Sequence, residues 1–264
     1  MAGMKTHQLT SPGSTVAQAF TEELLVRAGI VPGMHVAVVG AGTGDVAFLA
    51  AERVGDGGRV LAVEANAELA ACARRRAHEQ CFERISLRVG DLADIAAEAP
   101  FDAVIGRFFL LHRRDPVAAV RQCAGLVRSG GRVVFAEWHY ASMLWAHASA
   151  WPDPTLYHRV AAQTLDGLRR AGAHADMGLR LVNTFVEAGL PLPAVRLDLR
   201  ACTGANPVGF EFFAETLREL LPATDVRFET LAERLRQEAS AGNGHAFLPL
   251  LVGAWARTED ASGV

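Results

Sequence analysis

The sequence predicts an α/β protein built on a largely parallel β-sheet. Short apolar runs alternate with longer helical patterns through the first half of the 264 residues, which is typical of parallel strands joined by crossover helices. One run leads directly into a glycine-rich turn at 40–44, the arrangement in which such sheets bind ligands. Half of the residues are hydrophobic and 21% are charged, so we expect a well-filled core, in one domain over 1–264.

Seven strands are predicted along the chain. Each is a short apolar run rich in β-branched residues, and the first five end at glycine or an acidic residue. The predicted strands are 35–39, 59–64, 85–89, 101–106, 132–137, 195–201 and 246–256.

Helices are predicted between most of these strands, from their length and their alanine, leucine and arginine content. They cover 15–28, 45–53, 67–80, 116–127, 179–188, 208–220 and 226–239. Gly130-Gly131 is expected to stop the fourth helix. The 15–28 helix is amphipathic, so it is predicted to pack on the core, with packing over a ligand as the alternative.

The segment 138–171 interrupts the alternation. It is rich in tryptophan, histidine and alanine, contains Pro152 and Pro154, and shows no strand pattern. We interpret it as a helical insertion that forms a lid, and residues 1–14 as flexible.

Composition narrows the possible partners. A formal net charge of -3 gives no basic footprint, so no nucleic-acid partner is expected. No apolar run approaches the ~20 residues of a membrane helix, and no signal peptide is evident, so we expect a cytoplasmic protein without membrane contact. The four cysteines form no CxxC pair, which predicts free thiols and no metal site. A homodimer remains possible.

The glycine-rich turn is the sharpest feature. It contains Gly40, Ala41, Gly42, Thr43 and Gly44. Glycines remove the Cβ atoms that would block a ligand, and the N–H groups at the start of the next helix favour a polar or anionic group. The spacing is GxGxG rather than GxGxxG, and the acidic Asp45 follows. Both points disfavour the pyrophosphate of a nicotinamide dinucleotide.

Acidic residues end the next two strands. Glu64 lies about 20 residues beyond the glycine turn, the spacing at which a carboxylate accepts both hydroxyls of a ribose. Asp91 follows the third strand and can accept a hydrogen bond from an exocyclic adenine amine, although such a residue is more often a turn or cap. Together with the turn, these acids mark the crevice at the carboxyl ends of the strands.

In these motifs the chain resembles class I S-adenosylmethionine-dependent methyltransferases, particularly those similar to the ubiquinone and menaquinone biosynthesis methyltransferases. The resemblance covers roughly 30–137 and includes 36–45, Glu64, Gly90-Asp91-Leu92, 101–107, Leu110-Leu111-His112 and 130–134. It implies a Rossmann-like sheet of seven strands, with the last strand antiparallel and helices on both faces.

The resemblance also implies a cofactor, S-adenosyl-L-methionine, which would leave as S-adenosyl-L-homocysteine. The implied cofactor-binding residues are Gly40, Ala41, Gly42, Thr43, Gly44, Glu64, Ala65, Asp91, Leu92, Gly106 and Arg107. Gly106 and Arg107 would lie beside the methionine part. The chain departs from the pattern at Val38, where many relatives carry an acid that holds that part, and Asp45 or backbone carbonyls are the expected substitutes.

Catalytic and substrate-binding residues are less specified. Methyl transfer needs mainly in-line positioning, with a base when the acceptor is a hydroxyl. His112, Glu137 and His139 are the candidates for that base, the alternatives being a cap or cofactor-shell histidine and a solvated strand end. The candidates for binding a flat, apolar acceptor are Trp138, Trp145, Trp151 and Tyr157, although aromatic residues at helical spacing are more often ordinary packing. The basic run 74–76 is interpreted as a solvated helix face.

The favoured function is methyl transfer to a small organic molecule, as in secondary metabolism, with O-methylation slightly ahead of N- or C-methylation. The alternatives are a cofactor-retaining cyclase or isomerase and a non-catalytic binding module. A nicotinamide reductase is least favoured, because of the glycine spacing and Asp45.

Overall fold

A computed structural model describes residues 12–145, 155–203, 208–220, 228–241 and 246–259 of the protein. Within these ranges, no helix has both the length and the apolar character needed to cross a membrane.

A mixed sheet of seven strands forms the centre of the fold. Nine strands occur in the described ranges: β1 (His35–Val39), β2 (Arg59–Glu64), β3 (Ile85–Val89), β4 (Phe101–Arg107), β5 (Val127–His139), β6 (Ala194–Asp198), β7 (Ala201–Cys202), β8 (Ala246–Phe247) and β9 (Leu250–Arg257). The order is β3-β2-β1-β4-β5-β9-β6, and β7 pairs separately with β8. Strands β1 to β5 are parallel, whereas β9 is antiparallel to both β5 and β6. The predicted seven-stranded sheet with an antiparallel last strand is confirmed.

Helices cover both faces of the sheet. They are α1 (Pro12–Arg27), α2 (Asp45–Val54), α3 (Ala67–Glu79), α4 (Pro116–Gly125), α5 (Ser142–Trp145), α6 (Thr155–Arg170), α7 (Met177–Glu187), α8 (Val208–Leu220) and α9 (Phe228–Ala241). A side chain at Gly253 of β9 would collide with Leu24 of α1, whereas Val252 lies against Gly178 of α7. Because neighbouring residues of a strand point to opposite faces, α1 and α7 pack on opposite faces of the sheet.

The local sequence explains where the helices begin. The Asn66 side chain accepts the N–H groups of Glu68 and Leu69 and so caps α3, and Asp115 caps α4 ahead of Pro116 in its first turn. These are the residue types preferred at such positions. The strand β1 is apolar and buried along 36–39, as expected for a parallel strand covered on both faces.

The fifth strand is longer than predicted. It begins at Val127 rather than at 132 and ends at His139 rather than at 137, and α4 already stops at Gly125. Gly130-Gly131 therefore lies inside β5 and does not end the helix. Antiparallel pairing with β9 extends as far as His139 opposite Leu250, so the backbone of 138–139 is satisfied within the sheet. The helical part of the predicted insertion accordingly starts at α5, not at 138.

Two other predicted strands are each divided into two. The run 195–201 becomes β6 and β7, and the run 246–256 becomes β8 and β9. The second break falls at Leu248-Pro249, where proline has no N–H to continue a ladder. The Leu248 N–H instead donates to the Arg200 carbonyl at 2.9 Å.

Candidate functional site

The glycine turn after β1 has the backbone that its sequence requires. Gly40, Gly42 and Gly44 have φ values of 63°, 55° and 99°, in the left-handed region where other residues are strained. A side chain at Gly40 would meet the Phe109 ring at 2.7 Å, whereas nothing lies within 4 Å of the corresponding position at Gly42. The turn is therefore open at Gly42, while Ala41 and Thr43 are buried beneath it.

Glu64 joins the ends of the first two strands. Its Oε2 accepts the Gly42 N–H at 2.8 Å, and its Oε1 accepts the Asn66 N–H at 2.8 Å. The side chain is half-buried, and Ala65 beside it is exposed. Each carboxylate oxygen can accept more than one hydrogen bond, so Glu64 can still accept ribose hydroxyls at the rim of the turn.

Asp91 begins the 3₁₀ helix Leu92–Glu98. Its Oδ1 accepts the Leu92 N–H at 2.8 Å, and Leu92 itself is buried. The Arg113 guanidinium donates to both carboxylate oxygens, at 3.0 and 2.8 Å, and lies 4.9 Å from the centre of the Phe109 ring. Arg113 was not predicted from the sequence, because this pairing joins two loops that lie far apart in the chain.

Arg107, at the end of β4, is a largely buried cation. Only 8% of its side chain is exposed, and burial lowers its pKa, an effect that Asp45 opposes. Its Nη1 lies 3.2 Å from the Thr21 hydroxyl of α1, and its Nη2 lies 3.6 Å from Asp45. Gly106 before it has no room for a side chain, since a Cβ would collide with the Phe135 ring.

Asp45 faces a second arginine. Arg76 donates to Asp45 at 2.7 Å and to the Thr43 carbonyl at 2.7 Å. The prediction that 74–76 forms a solvated face is therefore wrong for Arg76, which turns back onto the glycine turn. Val38 is buried, and Asp45 is already engaged with Arg76. One carboxylate thus lies between two guanidinium groups, so these three residues carry a net positive charge beside the turn.

An aromatic cluster lies beyond Arg107. The Phe108 ring stacks on Trp138 at 5.4 Å between centres, with 12° between planes. Trp138 also contacts Phe212 at 5.3 Å, and Tyr140 lies nearly parallel to Phe212 at 6.5 Å. We call Phe108, Trp138, Tyr140 and Phe212 the aromatic wall. Phe108 has φ of 56°, an outlier for a bulky residue of the kind that collects at functional sites.

Glu137 is buried within the same end of the sheet. Its Oε1 accepts the N–H groups of Phe109 at 2.9 Å and Leu110 at 2.7 Å, while Oε2 is buried without a hydrogen-bond partner among the described residues. Burial raises its pKa to about 8, against the opposing effect of those backbone donors. The carboxyl group thus anchors the 3₁₀ helix Leu110–His112 and is neutral near pH 7.

The two candidate histidines lie in different surroundings. His139 is buried, and its Nδ1 lies 3.0 Å from the Asp176 carbonyl, where α7 begins. His112 is exposed at the end of its 3₁₀ helix, although desolvation by the nearby protein lowers its pKa. Because residues of a strand alternate in direction, Glu137 and His139 share the α7 face of β5, whereas Trp138 and Tyr140 share the opposite face.

The remaining aromatic candidates do not form one group. Tyr157 is fully buried, and its hydroxyl donates to the Phe247 carbonyl at 3.1 Å. Burial raises its pKa, so this hydroxyl stays protonated within the helical region above the sheet. Trp151 and the side chain of Trp145 lie outside the described residues. Phe108 and Phe212 were not among the candidates, and Phe212 lay in a different predicted element.

Comparison with known proteins shows which proteins this chain resembles. Residues 36–131 match the family described as a methyltransferase domain. The ubiquinone biosynthesis O-methyltransferase of Xanthomonas campestris pv. campestris is 37% identical over 103 residues, 38% of this chain and 41% of that protein. The nocamycin O-methyltransferase of Saccharothrix syringae is 36% identical over 103 residues, 39% of this chain and 37% of that protein.

A third curated relative is the demethylmenaquinone methyltransferase of Alkalihalophilus pseudofirmus, 26% identical over 121 residues, 46% of this chain and 51% of that protein. The chain thus spans between 37% and 51% of the length of these three relatives.

Solved structures share the fold. Phosphoethanolamine N-methyltransferase 2 of Haemonchus contortus, in complex with S-adenosyl-L-methionine, has a TM-score of 0.57 and 16% identity, covering 96% of this chain and 55% of that one. The [4+2]-cyclase SpnF has a TM-score of 0.54 and 18% identity, covering 96% of this chain and 85% of that one. With its sheet order, its glycine turn and these relatives, the chain resembles class I S-adenosylmethionine-dependent methyltransferases, and the match to a methyltransferase domain extends over residues 36–131.

Proposed function

We propose that this protein transfers a methyl group from S-adenosylmethionine to an oxygen atom of a small organic molecule. The observation that carries the proposal is the carboxylate of Glu64, which bonds the open glycine turn at Gly42 and borders the same crevice as Asp91. Relatives named as O-methyltransferases of ubiquinone biosynthesis and of nocamycin support oxygen as the acceptor atom. The relative named aklanonic acid methyltransferase DauC supports an organic acceptor of secondary metabolism.

In this proposal, the ends of β1 to β3 hold the nucleoside part of the cofactor. Glu64 accepts the ribose hydroxyls, with the glycine turn 40–44 and Ala65 alongside. Asp91 and Leu92 bind the adenine, and Arg113 either shares Asp91 with the adenine amine or moves aside. The Asp91–Arg113 pair is partly exposed, so its rearrangement costs little, since such pairs contribute about 0–1 kcal/mol.

The methionine part of the cofactor is assigned to Gly106 and Arg107. Its carboxylate would balance the net positive charge that Asp45 leaves on Arg76 and Arg107. A buried guanidinium gains strongly from a charged hydrogen-bond partner. This contact would hold the same end of the cofactor as the acidic residue that many relatives carry at the position of Val38, but through the carboxylate of the cofactor and not through its ammonium group.

The acceptor is assigned to the aromatic wall. Phe108 is the half-buried ring of the wall, so its face offers a flat apolar surface that suits a planar ring system, and it adjoins Arg107, the residue assigned to the cofactor. Trp138 is the sequence candidate that belongs to this wall. For Trp145, Trp151 and Tyr157 substrate contact stays a prediction, and the buried, hydrogen-bonded hydroxyl of Tyr157 favours a packing role.

When bound, S-adenosylmethionine supplies an electrophilic methyl group and becomes S-adenosylhomocysteine. The chain's own contribution is then to hold the acceptor oxygen in line with that methyl group and to exclude water. A hydroxyl acceptor also loses a proton, for which His112, Glu137 and His139 are the proposed candidates. Glu137 is protonated near pH 7 and His139 contacts the Asp176 carbonyl, so we favour positioning as the main contribution.

Two measurements test the function. Calorimetry should show S-adenosylmethionine binding that Glu64→Ala weakens, and incubation with methyl-labelled cofactor and planar hydroxylated compounds should yield a labelled product. Cofactor binding without any labelled product, across acceptors and source extract, would favour the cyclase or binding-module alternative. If the protein binds no cofactor at all, methyl transfer and the cyclase or binding-module alternative are both refuted.

A separate test addresses the base. Single-turnover transfer by His112→Ala, Glu137→Gln and His139→Ala should stay within about tenfold of the parent if positioning dominates, whereas loss of a base costs roughly 10²–10⁴-fold. Such a loss in one folded variant, with unchanged cofactor affinity, would identify the base.

A further inference from the structure

Strand β6 forms an edge of the sheet and carries an exposed row of apolar side chains. It pairs with β9 on one side, and no strand of the described ranges pairs with its other side. Val195 and Leu197 are 41% and 56% exposed, and Leu199, directly after the strand, is 44% exposed. Edge strands offer unpaired N–H and C=O groups to another strand, and natural proteins usually protect them with charge, proline or a covering segment.

The packing of α7 explains why this row is uncovered. Leu197 lies opposite Val252 of β9, and Val252 contacts Gly178 of α7. Opposite residues of antiparallel strands share a face, so Leu197 belongs to the α7 face. Helix α7 packs on β5 and β9, and the apolar row of β6 lies beyond it.

The other face of β6 carries charge. Arg196 lies over the Phe20 ring of α1 at 4.4 Å and bonds Glu23, and its Nη1 is buried with no hydrogen-bond partner among the described residues. Asp198 accepts from Arg200 at 2.8 Å. The strand thus presents a basic and an acidic side chain two residues apart, on the face opposite the apolar row.

We propose that two copies of this chain associate through β6, as antiparallel strands related by a two-fold axis at Leu197. The pattern from 195 to 199 is apolar, basic, apolar, acidic, apolar, so reversing it exchanges the basic and acidic positions. Arg196 then lies opposite Asp198 of the second copy, on both sides of the axis. An axis at Arg196 or at Asp198 would instead place a charged residue opposite itself, which is destabilising.

The same axis places the apolar side chains of one copy opposite those of the second copy. Val195 lies opposite Leu199 of the second copy, and the two Leu197 side chains meet on the axis. A two-fold interface is self-complementary by definition, and this strand satisfies that requirement on both of its faces. A second copy is therefore the occupant that the charge pattern specifies, and the inference does not depend on methyl transfer.

Oligomeric state in solution tests the proposal. The wild-type chain should sediment as a dimer. Leu197→Lys should sediment as a monomer, because two like charges then meet on the axis, and Val195→Lys should do so because a charge is then placed against the apolar Leu199 of the second copy. Val31→Lys is the matched control, since Val31 is 45% exposed but lies in the turn before β1. It should leave the dimer intact. A monomeric wild-type chain, or a dimer that withstands Leu197→Lys, would overturn the proposal.

Charge exchange tests the register. Arg196→Asp and Asp198→Arg should each weaken the dimer, because every cross-strand charged pair becomes like-charged. Mixing the two variants should restore a one-to-one dimer, since all pairs across the axis are then opposite. Circular dichroism confirms that each variant is folded. Two folded variants that remain monomeric when mixed would refute the axis at Leu197, whatever the fate of the wild-type dimer.

Discussion

The ends of β1 to β3, which we call the rim and propose to bind the cofactor, lie at the same end of the sheet as the aromatic wall, but the two regions are built in different ways. The rim, at the ends of β1 to β3, consists of carboxylates that accept backbone N–H groups, such as Glu64 at Gly42 and Asp91 at Leu92. The wall combines a ring that follows β4, rings at the end of β5 and a ring of α8, as in the contact between Trp138 and Phe212. The rim is thus specified by local polar geometry, whereas the wall depends on distant elements packing together.

Substitution of Arg107, which lies between the rim and the aromatic wall, should cause the largest loss of ligand affinity. If Arg107 holds the carboxylate of the cofactor, Arg107→Met should weaken S-adenosylhomocysteine binding by about 2–5 kcal/mol, the loss typical of breaking a buried charge pair. Binding of 5′-methylthioadenosine, which lacks that carboxylate, should hardly change. Calorimetry with both ligands checks this, and an equal loss for the two would remove the carboxylate assignment.

Within the rim, Glu64→Ala should weaken the binding of both S-adenosylhomocysteine and 5′-methylthioadenosine by about 1–3 kcal/mol. Both ligands contain the ribose, whose hydroxyls lose their acceptor in this variant. Thermal denaturation of the variant serves as the control, since Glu64 also holds Gly42 and Asn66. Unchanged affinities in a folded variant would contradict the ribose assignment.

Glu137 lies between the rim and the aromatic wall, and its ionisation should affect the free energy of unfolding. Its pKa is raised from 4.5 to about 8 by burial, so between those values the unfolded chain releases a proton that the folded chain keeps. This group therefore contributes full stability at low pH, and that contribution is lost as pH rises from 4.5 towards 8. Denaturant unfolding across this window should show a flatter pH dependence for Glu137→Gln than for the parent.

The Glu137→Ala variant tests the hydrogen bonds of this carboxyl group separately from its ionisation. Glu137→Ala leaves the N–H groups of Phe109 and Leu110 without their acceptor, at a cost of about 1–3 kcal/mol in unfolding free energy. Parallel pH profiles for parent and Glu137→Gln would show that this carboxyl is ionised in the folded state.

Substitution in the aromatic wall should cause the smallest loss of binding free energy. Phe212→Leu removes one ring and should weaken acceptor binding by about 0.5–1.5 kcal/mol, while cofactor affinity stays the same. Phe185→Leu is the control, because Phe185 is an equally buried ring that packs on Phe135, at the α7 side. Steady-state kinetics with an identified acceptor measure both, and equal effects would assign the loss to stability alone.

Sequence alone predicted much of the rim and little of the wall. Strands β1 to β3 have the predicted bounds, because a buried apolar run followed by glycine or an acid is a local signal. Arg76 was wrongly interpreted as solvated and Arg113 was not predicted, since their partners Asp45 and Asp91 lie far from them in the chain. The end of β5 was misplaced, because pairing with β9, far along the chain, decides whether 138–139 is strand. The roles of individual site residues stay proposals.

The backbone of Phe108 has a consequence for how this site can change. Its φ of 56° is one that glycine adopts freely and that costs other residues roughly 1–2 kcal/mol. A Phe108→Gly exchange would remove that cost and the ring together. Because the ring stacks on Trp138, the packing that it contributes offsets the backbone cost, and a glycine at this position would relax the backbone only by giving up that packing.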